Sequence, residues 1–407
     1  MEIIKKFWLI ILIGLILRLV IAGFTFHPDL RTPPLSSAVF FQEGSVNFYH
    51  DSSKLDKQDV LDKLPLNYFI NLTFHSILRP FVSTNIENQF FTDQSRLYGN
   101  PQFWFYLIYA KFPMIVFDTA LGILLSFVVE GTLRKKVLIL WLFNPFTLWV
   151  TSAIGQDDVY AAFFIVLSWF LIKRNQLNWA ALSLGAGGAI KSAPFLLVPL
   201  LIGLGKNWTE RALILILAAL PYLATVVPYL GVANFRHNAL LAPQLSKSLY
   251  ANIPLSGGEM ILLVPTILGL LYLFYFSKKR ETKDFLNFSI AVLLLILSFT
   301  HFHLQWFLWV LPFLLLWLIN HWDQGIRWAM VGLSVGLLIM LFLFESSLQV
   351  KLLSPLIPAL DSASGLKELL TDQQGIFIRS IGASIFAGSA FFLIWRVLIR
   401  DSEKISE

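Results

Sequence analysis

The chain contains no cysteine among its 407 residues. This absence excludes disulfides, thiolate nucleophiles and cysteine-ligated metals. Charged residues are also scarce, since Asp, Glu, Lys and Arg make up 14% of the sequence, whereas a soluble domain has about 25%. The sequence has no glycine-rich phosphate-binding loop and no soluble segment of domain size, so we expect no nucleotide cofactor.

Hydrophobic residues make up 57% of the chain, and the mean hydropathy is +0.69. Apolar runs of membrane-spanning length lie near 7–26, 103–129, 137–153, 158–173, 212–231, 259–277, 284–300, 303–320, 327–345 and 376–399. The first run follows Lys5 and Lys6 and precedes no small-residue cleavage site, so we interpret it as a retained helix. The sequence therefore predicts an all-α, multi-pass integral membrane protein with one transmembrane domain over 1–407.

The basic residues predict the topology. If Lys5 and Lys6 are cytoplasmic, the basic clusters at 134–136, 173–174 and 278–280 share that side only when 177–204 crosses twice. That segment is then two short helices meeting at Lys191, which gives about twelve spans with both termini cytoplasmic. The net charge is +6. Because the basic residues cluster where the membrane topology requires them, we expect no nucleic-acid partner.

Two long loops lie on the predicted extracytoplasmic face, at 27–100 and 346–375. Within the first loop, the segment Asn67–Ser83 is apolar on one helical face, but a full span here would break the alternation of sides. We predict an amphipathic or re-entrant helix on the outer surface. Membrane lipids are the expected partners of such a surface.

Carboxylates at two predicted helix ends are candidates for chemistry. Asp29 follows the first helix, where it could act as a general base on an acceptor hydroxyl or be an ordinary loop carboxylate. Asp157 and Asp158 follow Gly155 and Gln156 at a helix start. One Asp is enough to cap a helix, so the second Asp and Gln156 indicate a sugar- or metal-binding pocket, with a plain N-cap as the alternative.

Basic and aromatic nitrogen groups provide further candidates. Lys191 lies at a helix break, where membrane proteins bind charged ligands such as phosphate, although a snorkelling lysine at a hairpin tip is an equal alternative. His301 and His303 alternate near a predicted outer helix. They could ligate a metal, donate to phosphate or lie at the membrane interface beside tryptophans. The sequence leaves the need for a metal, including a divalent cation, open.

Lys111 and Asp118 are seven residues apart on one predicted helix, so they share a face about 10 Å apart along the helix axis. That distance is too long for a direct ion pair. We therefore expect each side chain to meet another helix and to be structural. Arg18 in the first helix is the candidate partner of Asp118.

Four stretches together resemble a known family. They are YAKFPMIVFDTALGILL from Tyr109, NPFTLWVTSAIGQDDVYAAFF from Asn144, GAIKSAPFLLVPLL from Gly188 and HLQWFLWVLP from His303. In this order they resemble the motifs of polytopic glycosyltransferases of the C-type fold (GT-C), in the group similar to GPI-anchor mannosyltransferases and their bacterial relatives. The resemblance covers roughly residues 1–320.

The resemblance implies an inverting transfer of a sugar, with mannose expected, from a polyprenyl-phosphate donor to a lipid or glycan acceptor. It implies that the reaction takes place on the extracytoplasmic face, with Asp29 as the catalytic base. It also implies a substrate site in which Lys191 and His303 stabilise the leaving phosphate and the remaining residues contact the substrates. The residues of this site are Gln156, Asp157, Asp158, Lys191, His301, His303 and Gln305.

Two alternatives remain open from the sequence. A secondary transporter of a polar or anionic solute also has about twelve spans, broken helices and buried charge. Its charged residues are expected near the bilayer midplane rather than at one face. A lipid-binding or scaffolding relative that has lost catalysis is the other alternative.

Overall fold

The structure, a computed structural model, describes residues 2–51, 61–241, 249–278, 280–301 and 303–403. The described chain is mostly helical. Its α-helices are α1 Glu2–Phe24, α2 Thr32–Glu43, α3 Phe48–Asp51, α4 Pro65–Leu78, α5 Thr84–Thr92, α6 Pro101–Val128, α7 Leu133–Leu142, α8 Pro145–Thr147, α9 Asp158–Ile172, α10 Leu177–Gly188, α11 Val198–Gly203, α12 Trp208–Val226, α13 Ala233–Phe235, α14 Leu263–Ser277, α15 Thr282–Phe299, α16 Leu311–Leu318, α17 Gln324–Phe342 and α18 Asp372–Glu403.

Short helical and strand elements connect these helices. Two π-helical segments, Leu148–Ile154 and Arg236–Leu240, follow α8 and α13. An antiparallel hairpin precedes α14, with strands β1 Asn252–Pro254 and β2 Met260–Leu262. The 3-10 segments are Pro28–Arg31, Arg79–Phe81, Gln94–Leu97, Ala193–Leu197, Val227–Tyr229, Ser256–Gly258, Leu304–Trp309, Ser346–Leu348, Val350–Leu353, Pro358–Ser362 and Leu366–Leu369.

Side-chain caps explain where several helices begin. The first backbone N–H groups of a helix have no partner within it, and Asn or Asp oxygens commonly accept from them. The Asn100 side chain accepts from the backbone N–H of Gln102 at the start of α6. Asn207 starts α12 and Asp323 starts α17 in the same way.

Seven helical segments among the described residues are long and apolar enough to span a membrane. They are 5–24, 101–128, 133–154, 208–229, 282–299, 324–342 and 372–399. Shorter apolar helices occupy Asp158–Ile172, Ala193–Gly203 and Leu263–Ser277. The chain is therefore a multi-pass integral membrane protein, as predicted. The larger count of about twelve spans stays a prediction.

Asp118 is paired with Arg18 inside the spans, as predicted. Arg18 Nε donates to Asp118 Oδ2 over 2.7 Å, and both side chains are fully buried. Trp141 Nε1 donates to the other carboxylate oxygen over 2.8 Å, and Thr151 Oγ1 donates to Oδ2. This network joins α1, α6 and α7. The charges of Arg18 and Asp118 would be costly in lipid, but here each is compensated by its hydrogen-bond partners and the network connects the helices.

The region 177–204 consists of two short helical pieces that meet around Lys191, as predicted. Helix α10 ends at Gly188, and the 3-10 segment that leads into α11 begins at Ala193. In contrast, the prediction of a span starting at 259 was wrong, because residues 260–262 form strand β2 before α14 begins. The predicted span 303–320 is a 3-10 segment followed by the short helix α16.

The long segment between α1 and α6 contributes to a second hydrophobic cluster beside that of the transmembrane bundle. Here the predicted helix at 67–83 is present as α4. Its fully buried residues include the polar side chains of Asn67, Asn71 and His75. These polar groups are hydrogen-bonded to other elements, which is why they can be buried.

Candidate active site

The turn before α9 has a shape that only glycine permits. The π-helical segment Leu148–Ile154 ends at Gly155, which has a φ of +82°. A Cβ at this position would lie 2.7 Å from Leu30 Cδ1 and 2.9 Å from Lys111 Cγ. Both the left-handed backbone and the close approach therefore require glycine. As a result, the residues that follow Gly155 lie directly against the first loop.

Asp29 and Gln156 are in direct contact. Asp29 lies in the 3-10 segment Pro28–Arg31, just after α1. Gln156 Nε2 donates to Asp29 Oδ2 over 2.7 Å. The Asp29 side chain is 54% exposed, whereas Gln156 is buried. The predicted base is thus held by an amide from a segment 127 residues away and still has a side open to a substrate.

His27 caps the segment that carries Asp29. Its Nδ1 accepts from the backbone N–H of Asp29 over 3.2 Å. The ring of a neutral histidine then carries its proton on Nε2, and this atom lies 3.0 Å from Glu345 Oε1. The hydrogen bond from His27 holds the pKa of Glu345 below its ordinary value of 4.5. Glu345 therefore fixes the tautomer of the histidine that orients Asp29.

Asp157 and Lys191 form an ion pair in which the carboxylate is buried and the lysine is partly exposed. Lys191 Nζ lies 3.0 Å from Asp157 Oδ1, and Asn67 Nδ2 donates to Asp157 Oδ2 over 2.6 Å. Burial alone would raise the pKa of Asp157, but the charges of Lys191 and Lys63 and these contacts lower it to about 2. Burial also opposes the charge of Lys191, yet the two neighbouring carboxylates raise its pKa.

Asp158 is fully buried at the first position of α9. Trp309 Nε1 donates to its Oδ1 over 2.9 Å, and Lys191 Nζ lies 3.8 Å from its Oδ2. Oδ2 has no hydrogen-bond partner among the described residues. Trp306 stacks on Trp309 with ring centroids 5.1 Å apart. Asp158 therefore offers an acceptor oxygen beside an ammonium group and an aromatic stack.

A chain of amides supports the ion pair from behind. Asn71 Nδ2 donates to Asn67 Oδ1 over 2.9 Å, and Tyr160 OH donates to Asn71 Oδ1 over 2.8 Å. This chain fixes the Asn67 amide so that its NH2 group points at Asp157. The sequence reasoning missed Asn67, Asn71 and Tyr160. The signal that could have found the two asparagines is their spacing of four residues on the buried face of α4.

The histidine pair lies around one aromatic ring. His301 stacks on Phe344 with centroids 6.1 Å apart, and His303 contacts the same ring at 5.9 Å. His303 also contacts Trp306 at 5.7 Å, which connects it through the tryptophan stack to Asp158. Gln305 is half-buried in the same 3-10 segment. The histidines thus lie next to the residue that precedes Glu345.

Lys111 holds the two halves of the site together. Its fully buried ammonium group donates to the backbone oxygens of Ala22, Thr25 and Ala153 and to Thr25 Oγ1, at 2.6–3.1 Å. Thr25 ends the first helix region, and Ala153 precedes the turn at Gly155. Lys111 therefore meets other segments, as predicted, and positions the loop of Asp29 against the turn of Gln156.

The described residues contain no group of three or more His, Asp or Glu side chains arranged to hold a metal ion. The assembled groups are suited to proton transfer and hydrogen bonding. Asp29 can accept a proton, Lys191 can donate to an anion, and Gln156 and Asp158 can bind hydroxyl groups.

No protein-family model, no curated protein and no solved structure matches this chain. The fold places it in the class of multi-pass integral membrane proteins.

Proposed function

We propose that this protein is an inverting glycosyltransferase of the GT-C type. It transfers a sugar, with mannose expected, from a polyprenyl-phosphate donor to a lipid or glycan acceptor. In this proposal the chain crosses the membrane about twelve times, with both termini in the cytoplasm and the site on the extracytoplasmic face.

The observation that carries the proposal is the contact between Asp29 and Gln156. It joins the solvent-accessible carboxylate of the first loop to the segment of the ion pair. The pair itself recruits Lys191 and Asn67, and Trp309 adds a fifth segment through Asp158. Residues separated by up to 280 positions, from Asp29 to Trp309, thus belong to one contact network. If these residues had separate structural roles, they would not be expected to lie in one network.

The proposed reaction assigns each group a task. Asp29 removes the proton from an acceptor hydroxyl, and the oxygen attacks the anomeric carbon of the donor sugar. The bond between that carbon and the phosphate oxygen breaks, and polyprenyl phosphate leaves. Lys191 donates to the phosphate as negative charge develops. It can do so while paired with Asp157, because an ammonium group has several N–H donors and this side chain is 17% exposed.

The remaining candidates contact the substrates in this proposal. The Gln156 amide donates to and accepts from sugar hydroxyls, and Asp158 accepts from them through Oδ2, which has no hydrogen-bond partner among the described residues. His303 assists the phosphate, while His301 and Gln305 border the same region. The stacked pair Trp306 and Trp309 provides a flat apolar surface for a sugar ring.

The depth of these groups in the bilayer separates the enzyme from a secondary transporter. Asp158 begins α9, Asp29 follows the end of α1, and Lys191 lies at the break between α10 and the segment leading into α11. A transporter also binds its solute at the ends of broken helices, but near the bilayer midplane. The enzyme proposal places these groups at the extracytoplasmic boundary.

The decisive experiment follows release of polyprenyl phosphate by the purified protein in nanodiscs, with polyprenyl-phosphate-mannose and a mixed lipid acceptor pool. We expect release by the wild type, loss of release with Asp29→Asn, and normal release with Asp372→Asn. Asp372 is a matched control, because it is an exposed carboxylate that also lies in a first helical turn.

Two results contradict the proposal in different ways. Equal release by the wild type and Asp29→Asn keeps the transferase and removes Asp29 as its base. Absence of release with donors of several sugars contradicts the transferase itself. If no release is found, uptake of an anionic or polar solute into proteoliposomes would favour the transporter.

A further inference from the structure

The β-hairpin before α14 presents apolar side chains on both of its faces. Ile253 pairs with Ile261 across the strands on one face, and Pro254 pairs with Met260 on the other. Ile253, Met260 and Ile261 are 49%, 50% and 39% exposed. The segment 249–263, LYANIPLSGGEMILL, contains one charged residue, Glu259.

Such a hairpin requires an additional source of stability. A two-stranded hairpin alone is marginally stable in water, and its strands here have three residues each. Exposed contiguous apolar surfaces of this kind mark contacts with a partner or a membrane. The occupant of this surface must therefore be apolar and must contact both faces of the ribbon.

The hairpin is attached to an apolar helix at its base. Leu262 ends β2, and α14 begins at the next residue, Leu263. The backbone N–H of Leu263 donates to the carbonyl oxygen of Ala251 over 2.9 Å, which extends the ladder into the helix start. Leu270 and Leu273 of α14 are 60% and 69% exposed. The apolar surface of the hairpin is thus continuous in the chain with that of α14.

We infer that this hairpin lies in the headgroup and upper acyl region of the bilayer and anchors the segment before α14 to the membrane surface. Hydrocarbon itself is excluded as its environment, because the outer edges of the two strands have backbone groups that need water or headgroups. The boundary region supplies both, since it hydrates the edges and accepts the apolar side chains.

The tip of the hairpin defines which end faces water. Residues Ser256, Gly257, Gly258 and Glu259 form the turn, and the two glycines have φ values of +85° and +91°. These residues are polar or lack an apolar side chain, whereas the paired strand residues are apolar except for Asn252 at the base of the hairpin. The ribbon therefore extends from the apolar layer at the base of α14 toward the aqueous phase at Glu259.

A second copy of the chain is a less suitable occupant. Pairing of two hairpins through their edges would involve strands of three residues, and Pro254 removes a donor from one of them. Few hydrogen bonds would form, and the apolar faces would stay exposed. The lipid interface covers both faces at once.

The absence of native cysteine allows a direct test by site-specific labelling. Ile253→Cys, Ile261→Cys and Ser256→Cys are each labelled with a nitroxide in the full-length protein in phosphatidylcholine vesicles. Collision rates with oxygen, which partitions into lipid, and with a water-soluble nickel chelate are then measured. Leu273→Cys is the lipid-facing reference on α14, and Asn88→Cys on α5 is the water-facing reference, because both positions are exposed.

We expect Ile253→Cys and Ile261→Cys to resemble Leu273→Cys, with raised oxygen collisions and a loss of nickel collisions. Ser256→Cys should resemble Asn88→Cys. Nickel collisions at 253 and 261 equal to those at Asn88→Cys would overturn the inference. Low collisions with both reagents, accompanied by dipolar broadening between labels, would replace the lipid with a second copy. Neither result depends on the enzymatic proposal.

Discussion

The hydrogen bond between Glu345 and His27 yields the sharpest prediction about Asp29. Replacement of Glu345 by leucine removes the carboxylate acceptor for His27 Nε2 and leaves the longer contact with Ser347 Oγ, at 3.3 Å. The ring then loses the stronger of the two contacts that keep its proton on Nε2 and its Nδ1 free to accept from the Asp29 backbone. We expect the segment Pro28–Arg31 to sample other orientations, so that Asp29 is less often in position to act.

The size of this effect follows from the exposure of the two groups. A hydrogen bond to a charged group contributes about 1.5–3 kcal/mol, and a solvent-exposed ion pair contributes about 0–1 kcal/mol. His27 is buried, but the Glu345 side chain is 45% exposed, so we take about 1 kcal/mol. That energy corresponds to a loss of roughly fivefold in kcat/KM.

Glu345→Gln is the matched control, because its amide oxygen accepts the same hydrogen bond without a charge. We expect it to retain most of the release of polyprenyl phosphate that Glu345→Leu loses. Amide hydrogen exchange of residues 28–31 provides a readout that needs no activity, and it should rise in Glu345→Leu alone. Unchanged exchange and activity in Glu345→Leu, or equal losses in both variants, would refute the positional role.

Three further predictions concern buried polar groups. Arg18→Met should lower the free energy of unfolding by about 3–5 kcal/mol, because it leaves the buried Asp118 without its ion-pair partner. Chemical denaturation in detergent measures this loss. The control is the double variant with Asp118→Leu, which should lose less stability. Burial lowers the pKa of His75 from 6.5 to about 3, so the unfolded chain binds the proton first and stability should fall as the pH drops from about 6.5 toward 3; thermal unfolding of His75→Asn should lack this dependence. Asn67→Leu removes a donor from Asp157 and should reduce kcat/KM for release of polyprenyl phosphate, whereas Asn88→Leu on the exposed surface of α5 should not.

The sequence predicted the contacts that depend on spacing and charge. The interval of seven residues between Lys111 and Asp118 excluded their pairing and required partners on other helices. The structure confirms Arg18 as the partner of Asp118. The distribution of basic residues similarly required two short helices around Lys191, and α10 and the segment leading into α11 meet there.

Contacts made by single polar residues were not predictable in this way. Glu345 lies in a region without a recognisable motif, and it reaches His27 across 318 positions. Asn67 belongs to a helix that was predicted as amphipathic or re-entrant on the outer surface. A single sequence contains neither the distance between such residues nor the partner that makes their burial favourable.

Hydropathy also failed to separate two kinds of apolar segment. The run 259–277 contains both β2 and α14, because a short apolar strand and the start of an apolar helix have the same composition. Helices such as α9 and α14, with 15 residues each, are shorter than the roughly 20 residues of a standard span. Counting crossings by hydropathy therefore requires the length of each helix as well as its composition.

The pairing of Arg18 with Asp118 has a consequence for synthesis of the protein in the membrane. Arg18 enters the bilayer with α1, but its partner is 100 residues further along the chain. At about 5–20 residues per second, ribosomes need roughly 5–20 s to reach that partner. During this interval the helix carries an unneutralised guanidinium, at a cost of about 2.5–3.5 kcal/mol on insertion scales. The first helix therefore depends on the insertion machinery until α6 emerges, and its final position is set by later helices.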